Sequence, residues 1–138
     1  MTNDKAFLDT NVLIYAIAKD DPRALRTEEL LARGGVISVQ VLNEFVSVAR
    51  CKLQMSWEEV TIALDAIRVL CPVPTPITIE THEAALNIAK QYGCGIYDAL
   101  ITAAAIEAKC STLCSEGLQD GQTINGRLTI RNPFRLQT

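Results

Sequence analysis

The chain has 138 residues, 49% apolar and 21% charged, with aromatics at 5% and a formal net charge of −3. That size and balance fit one globular domain spanning 1–138 and exclude a disordered or fibrous chain. With no excess of Lys and Arg, any nucleic-acid contact must be local or carried by metal ions. The five cysteines are odd in number and form no CxxC pair, and His82 is the single histidine, so a zinc site has little to work with. Free thiols in a reducing cytoplasm are the expectation. "MTNDKAFLDT" carries no signal-peptide pattern and no apolar run nears about 18 residues. A cytoplasmic protein without a membrane partner is therefore expected.

In chain order, "KAFLD" reads as a short strand ending at Asp9, and "NVLIYAIAKD" as a short helix with apolar residues at helical spacing. "DDPRALRTEELLAR" offers Asp20 or Asp21 as N-cap and Pro22 as the first helical residue, with Gly34 and Gly35 as the stop. "VISV" is a second, fully apolar strand. "SVQVLNEFVSVARCKL" is helical, with Val41, Leu42, Phe45, Val48 and Ala49 on one stripe. "SWEEVTIALDAIRVL" opens with a capping box, Ser56 and Glu59. "CPVPTP" breaks that helix, with room for an edge strand near Val73. "TIETHEAALNIAKQYG" and the alanine-dense "IYDALITAAAIEAKC" are two more helices. "STLCS" is a third strand, and "RLTIRNPF" adds a last one. Strands alternating with helices predict an α/β fold, a three-layer α/β/α sandwich on a central parallel sheet of four or five strands. In such sheets ligands collect beyond the carboxyl ends of the strands.

Acids fall at those points. Asp9 closes the first strand, Glu44 lies beside the buried stripe of the third helix, and Asp98 opens the alanine-rich helix. Glu116 and Asp120 crowd the loop after the third strand. Each has an ordinary reading when taken singly. Asp9 serves as an N-cap, Glu44 as a solvated surface residue, Asp98 as a first-turn acid favoured by the helix dipole, and the last two as a polar turn. Together they predict carboxylates converging at one sheet edge. Such groups cannot all stay ionised without a cation, and hard oxygen donors favour Mg²⁺ or Mn²⁺ over zinc.

"FLDTNVLIYA", "SVQVLNEF", "YDALI" and "CSEGLQDG" resemble, in order and spacing, the four motifs of the PIN domain, and among its members the VapC-like ribonuclease toxins of bacterial toxin–antitoxin pairs. The resemblance runs from residue 6 to about residue 134. It implies the sandwich just described and metal-dependent cleavage of RNA. It also implies a cognate antitoxin and a homodimer as partners, and Asp9, Glu44 and Asp98 as the first three acids of the site. At the fourth acid the chain departs from the pattern. Relatives often read "SED" where this chain reads "SEG", so the expected aspartate is Gly117. Asp120 is the first substitute and Glu116 the second.

On this reading a divalent ion lowers the pKa of its water and clamps the phosphate. Two ions about 3.5–4 Å apart would serve nucleophile and leaving oxygen separately. Asp9 and Asp98 are the principal ligands, Glu44 binds directly or orients a metal-bound water, and Asp120 serves a weaker second ion. Thr10, Asn11 and Ser115 are outer donors to the ligands, or simply caps. Arg50 and Lys52 follow the Glu44 helix and are candidate RNA contacts or a solvated helix end, as are Arg127, Arg131 and Arg135 near the C-terminus. Trp57 is expected to pack, and the helix it opens carries a wide apolar stripe, either core or a partner surface. Gly117 and the acidic charge also leave open a catalytically weakened interaction module on the same fold. A covalent-aspartate phosphohydrolase is disfavoured because "DTN" stands where that class wants "DxD".

Overall fold

A computed structural model describes residues 5–18 and 20–135. β1 (Phe7–Leu8) leads directly into α1 (Thr10–Ile17), then α2 (Ala24–Ala32), α3 (Val39–Cys51), α4 (Trp57–Leu70), α5 (Ile79–Tyr92) and α6 (Ile96–Glu107). β2 (Thr112–Cys114), β3 (Thr123–Ile124) and β4 (Leu128–Arg131) complete the chain order. The sheet runs β1-β2-β4-β3. β1 pairs with β2 in parallel, Leu8 opposite Cys114. β2 pairs with β4 in parallel, Cys114 opposite Arg131. The expected parallel set is present, and the 123–131 hairpin adds one antiparallel strand, β3.

"VISV" joins the other side of β1 through a single-residue parallel bridge, Phe7–Val36, and meets Thr75 through a second, Ser38–Thr75, in place of a longer strand. The reason is local. Ser38 turns the chain into α3 as its N-cap, its Oγ accepting from Val41 N at 3.2 Å. Thr75 supplies the edge expected near Val73, its N donating to Ile37 O at 2.8 Å. The expected helix 11–20 stops at Ile17, with Ala18 extended, and Lys19 lies outside the described residues. α2 begins at Ala24, two residues after Pro22, and Asp21 Oδ1 accepts from Arg23 N at 2.9 Å, the bond expected of an N-cap before Pro22. The capping box of Ser56 and Glu59 forms as expected.

The buried residues make one cluster, centred on Phe7, Leu8, Ile37, Phe45, Ile101 and Leu113. α6 is buried along Ala99–Ala105 and packs on α5, α3 and β2. Small side chains let it approach closely, which an alanine run favours without losing helicity. No helix among the described residues is long and apolar enough to cross a membrane.

Gly35 shows how tightly β1 is held. A Cβ at this position would stand 2.4 Å from Leu8 Cδ1 and 2.8 Å from Leu8 Cγ. Leu8 is fully buried and cannot yield freely. Gly35→Ala is therefore expected to cost about 1–3 kcal/mol in urea denaturation, the usual cost of overpacking. An unchanged midpoint would contradict this packing.

Candidate functional site

The parallel register of β1 and β2 places Asp9 and Ser115 side by side, each one residue past its strand. Asp9 N donates to Cys114 O at 3.0 Å. The Asp9 carboxylate is buried, 6% exposed. Oδ1 accepts from Thr10 N at 2.7 Å and Oδ2 from Ser115 Oγ at 2.7 Å. Asp9 is thus the N-cap of α1, as the ordinary reading held, but both donors are neutral and no ion pair compensates it among the described residues. Burial pushes its carboxyl above the usual range. The two hydrogen bonds oppose that shift, and the charge of Asp98 adds to it.

Glu44 projects from the second turn of α3 and is half-buried. Gln40, one turn earlier and largely buried, donates Nε2 to Glu44 Oε2 at 3.2 Å. Burial raises the Glu44 carboxyl, Gln40 lowers it, and the charges of Asp9 and Asp98 raise it further. Asp98 stands in the first turn of α6, where burial raises it too. Its carbonyl accepts from Thr102 Oγ1 at 2.8 Å, while its carboxylate accepts no hydrogen bond among the described residues. The three acids therefore share one region and resist one another's ionisation. Among the described residues no three His, Cys, Asp or Glu side chains stand close enough to hold a metal ion as they lie. Asp9 is pinned by two short bonds. Glu44 accepts one hydrogen bond at 3.2 Å, and the Asp98 carboxylate accepts none among the described residues.

Thr10 Oγ1 is buried beside Asp9 and makes no hydrogen bond. Ser115 is fully buried, and its Oγ also accepts from Leu118 N at 3.3 Å. Asn11 Oδ1 accepts from Glu116 N at 3.5 Å, which ties the loop after β2 to α1. A side chain at Gly117 would lie 3.5 Å from Asn11 Nδ2, an ordinary contact.

The two substitutes for a fourth acid are engaged elsewhere. Asp120 Oδ1 accepts from Asn132 N at 2.8 Å and Oδ2 pairs with Arg135 at 3.1 Å. The Asn132 amide, then Arg135 and Arg131, hold its carboxyl below the usual range. Glu116 accepts from Tyr15 OH and pairs with Arg23 Nη1 at 2.8 Å. Arg23 also pairs with Asp21 at 2.7 Å and lies 3.7 Å over the Tyr15 ring. Arg23 brings Asp21 down to about 2, while burial and Glu116 push Tyr15 up to about 12. Tyr15, Arg23 and Gln40 had no signal in the sequence. The first two meet Glu116 across 101 and 93 residues.

Arg50 donates to Met55 O at 2.7 Å and lies 4.4 Å over Trp57, so it fastens the α3–α4 turn. Trp57 is 62% exposed and packs against the Arg50 guanidinium at the surface, not in the core. Lys52 is the exposed C-cap residue of α3.

The PIN domain model matches residues 6–118. The chain belongs to the PIN domain family. No curated protein matches it. Solved PIN structures resemble it along most of its length. VapC20 of Mycobacterium tuberculosis, described as a toxin cleaving the sarcin-ricin loop, is 19% identical at a TM-score of 0.64, covering 78% of this chain and 86% of its own. VapBC2 of Rickettsia felis, bound to a promoter DNA fragment, is 25% identical at 0.66, covering 91% and 96%. A toxin–antitoxin complex from Klebsiella pneumoniae is 19% identical at 0.71, covering 95% and 99%.

The electrostatics of this PIN site make a stability prediction. Asparagine at position 9 can still accept from Thr10 N and meet Ser115, without a buried charge. Because the folded Asp9 carboxyl is raised, its penalty applies when it is ionised and fades as pH falls towards the unfolded value, about 3.9. In EDTA at pH 8, Asp9→Asn should melt at or above wild type, with the gain shrinking by pH 5. A large loss of melting temperature at pH 8 would show that the charge itself stabilises the fold.

Proposed function

We propose that this protein is a divalent-metal-dependent endoribonuclease, the toxin of a type II toxin–antitoxin pair. The observation that carries the reading is the placing of Asp9, Glu44 and Asp98 near the carboxyl end of β1, buried or half-buried, near enough for their charges to act on one another, and without cationic partners among the described residues. Membership of the PIN family and likeness to a toxin described as cleaving the sarcin-ricin loop support RNA as the substrate. Likeness to the Rickettsia felis VapBC2 complex supports an antitoxin partner. Exposed Ile62, Val69 and Leu70 on α4, and Val73 just after it, offer an apolar surface for that partner or for a second copy.

The residues fit Mg²⁺ or Mn²⁺. The donors are hard oxygens, and Thr10 Oγ1, next in sequence to Asp9, is buried without a hydrogen-bond partner among the described residues, while the acids must still draw closer for three of them to reach one ion. Asp9, Asp98 and Glu44 would hold the ion. When bound, it supplies an activated water and charge relief at the phosphate. Ser115 and Thr10 N fix the Asp9 carboxylate so that one ligand is in place beforehand. Gln40 orients Glu44. Asn11 ties the loop of Ser115 to α1, and with it the position of Asp9.

A second reading, an interaction module with weakened catalysis, is favoured by Gly117 and by the engagement of both neighbouring acids elsewhere.

Cleavage of single-stranded RNA with Mg²⁺ or Mn²⁺ separates the two. Losing an outer partner of a ligand costs about 10–100-fold, so Ser115→Ala should fall in that range and Asp9→Asn or Asp98→Asn below it. Full activity in EDTA or in either ligand variant would overturn the nuclease reading. Gly117→Asp, which the contact at Asn11 accommodates, should raise activity at limiting Mn²⁺ if a fourth acid is what the site lacks. No cleavage by either protein at saturating Mn²⁺ would favour the interaction module.

A further inference from the structure

The chain is acidic overall, yet five arginines line one cleft. Arg23, Arg26, Arg33, Arg131 and Arg135 border a space of about 1210 Å³ between α2 and the segment following β4, with Phe134 in its wall. Acids neutralise some of them. Arg23 pairs with Asp21 and Glu116, Arg26 with Glu29, and Arg135 with Asp120. Arg33 and Arg131 are exposed and make no side-chain ion pair or hydrogen bond among the described residues, although Asp120, which also lines the cleft, feels the charge of Arg131. Guanidinium groups crowded together repel unless an anion lies among them, and their planar forks match phosphate oxygens.

Position says which anion. Arg131 stands opposite Cys114 at the carboxyl end of β4, so that end of the cleft lies at the same sheet edge as Asp9, while Arg33 lies towards the start of β1. Arg23 reaches Glu116, whose backbone N faces Asn11 of the acidic site. A small phosphate would use one or two of these groups, whereas a polymer of phosphates can use the row and continue to the acids. Phe134, edge-on to Tyr15 at 5.2 Å, adds an aromatic surface. A cationic groove with an aromatic wall is how proteins track single-stranded nucleic acid, the backbone on the charges and a base on the ring.

We propose that this cleft holds the backbone of single-stranded RNA flanking the segment at Asp9, Glu44 and Asp98. The proposal rests on the ribonuclease reading for its substrate, but its test does not need cleavage. In EDTA, binding of a fluorescein-labelled 20-nucleotide oligouridylate is followed by anisotropy across a salt series. Arg33→Glu/Arg131→Glu should weaken binding about tenfold and flatten the log–log salt slope by about 1.4, two single-strand phosphates' worth. Arg68→Glu/Lys90→Glu, an equal charge change on exposed positions of α4 and α5, should match wild type. If the double variant does not fold by circular dichroism, Arg33→Gln/Arg131→Gln should flatten the slope equally. Affinity and slope equal to the Arg68→Glu/Lys90→Glu control would overturn the proposal, as would no binding by wild type. Polyglutamate binding that depends on Arg33 and Arg131, with RNA unbound, would assign the cleft to an acidic protein segment instead. Failure of Mg²⁺-dependent cleavage, with the binding result intact, would fault the nuclease reading and leave the cleft in place.

Discussion

The hydrogen bond from Ser115 Oγ to Asp9 Oδ2 at 2.7 Å is the contact around which the site is arranged. It exists because β1 and β2 pair in parallel with Leu8 opposite Cys114, which sets their next residues together. It orients a carboxylate that the fold buries at a cost of several kcal/mol if ionised. Two hydrogen bonds to a charged group recover about 1.5–3 kcal/mol each. Glu44 and Asp98, brought in from α3 and α6, add repulsion. Among the described residues these three groups have no lysine or arginine partner, which leaves their repulsion uncompensated.

Much of this was legible in the sequence because it is local. The change from apolar strand to helical spacing at Asp9, the stripe beside Glu44 and the alanine run after Asp98 each report where a side chain leaves the core. The order of these segments then predicts a parallel sheet, and the parallel register brings their ends together. The hairpin β3–β4 was not legible, since Thr123–Ile124 is too short to carry a period. "VISV" read as a full strand, but Ser38 prefers to cap α3 over extending the ladder.

The fourth acid shows where spacing stops being informative. Asp120 and Glu116 both stand near the right offset, and both are claimed by partners distant in sequence or on another strand. Asn132 and Arg135 take the first, Tyr15 and Arg23 the second. Such pairings depend on side-chain reach across the folded chain and leave no periodic trace. Arg23 is also the link between the acidic site and the arginine cleft, so the molecule separates its charges by position. Acids lie at the end of β1 and guanidinium groups beside the end of β4, within a net charge of only −3.

Mn²⁺ binding by electron paramagnetic resonance tests the shared acidic site most directly, because it needs neither substrate nor turnover. Wild type is expected to bind Mn²⁺ at or below millimolar ion, and Asp98→Asn and Glu44→Gln should each weaken that binding although they lie on different helices. A folded wild type that binds no Mn²⁺ at millimolar ion, or variants that bind it unchanged, would contradict a single cation site built by Asp9, Glu44 and Asp98.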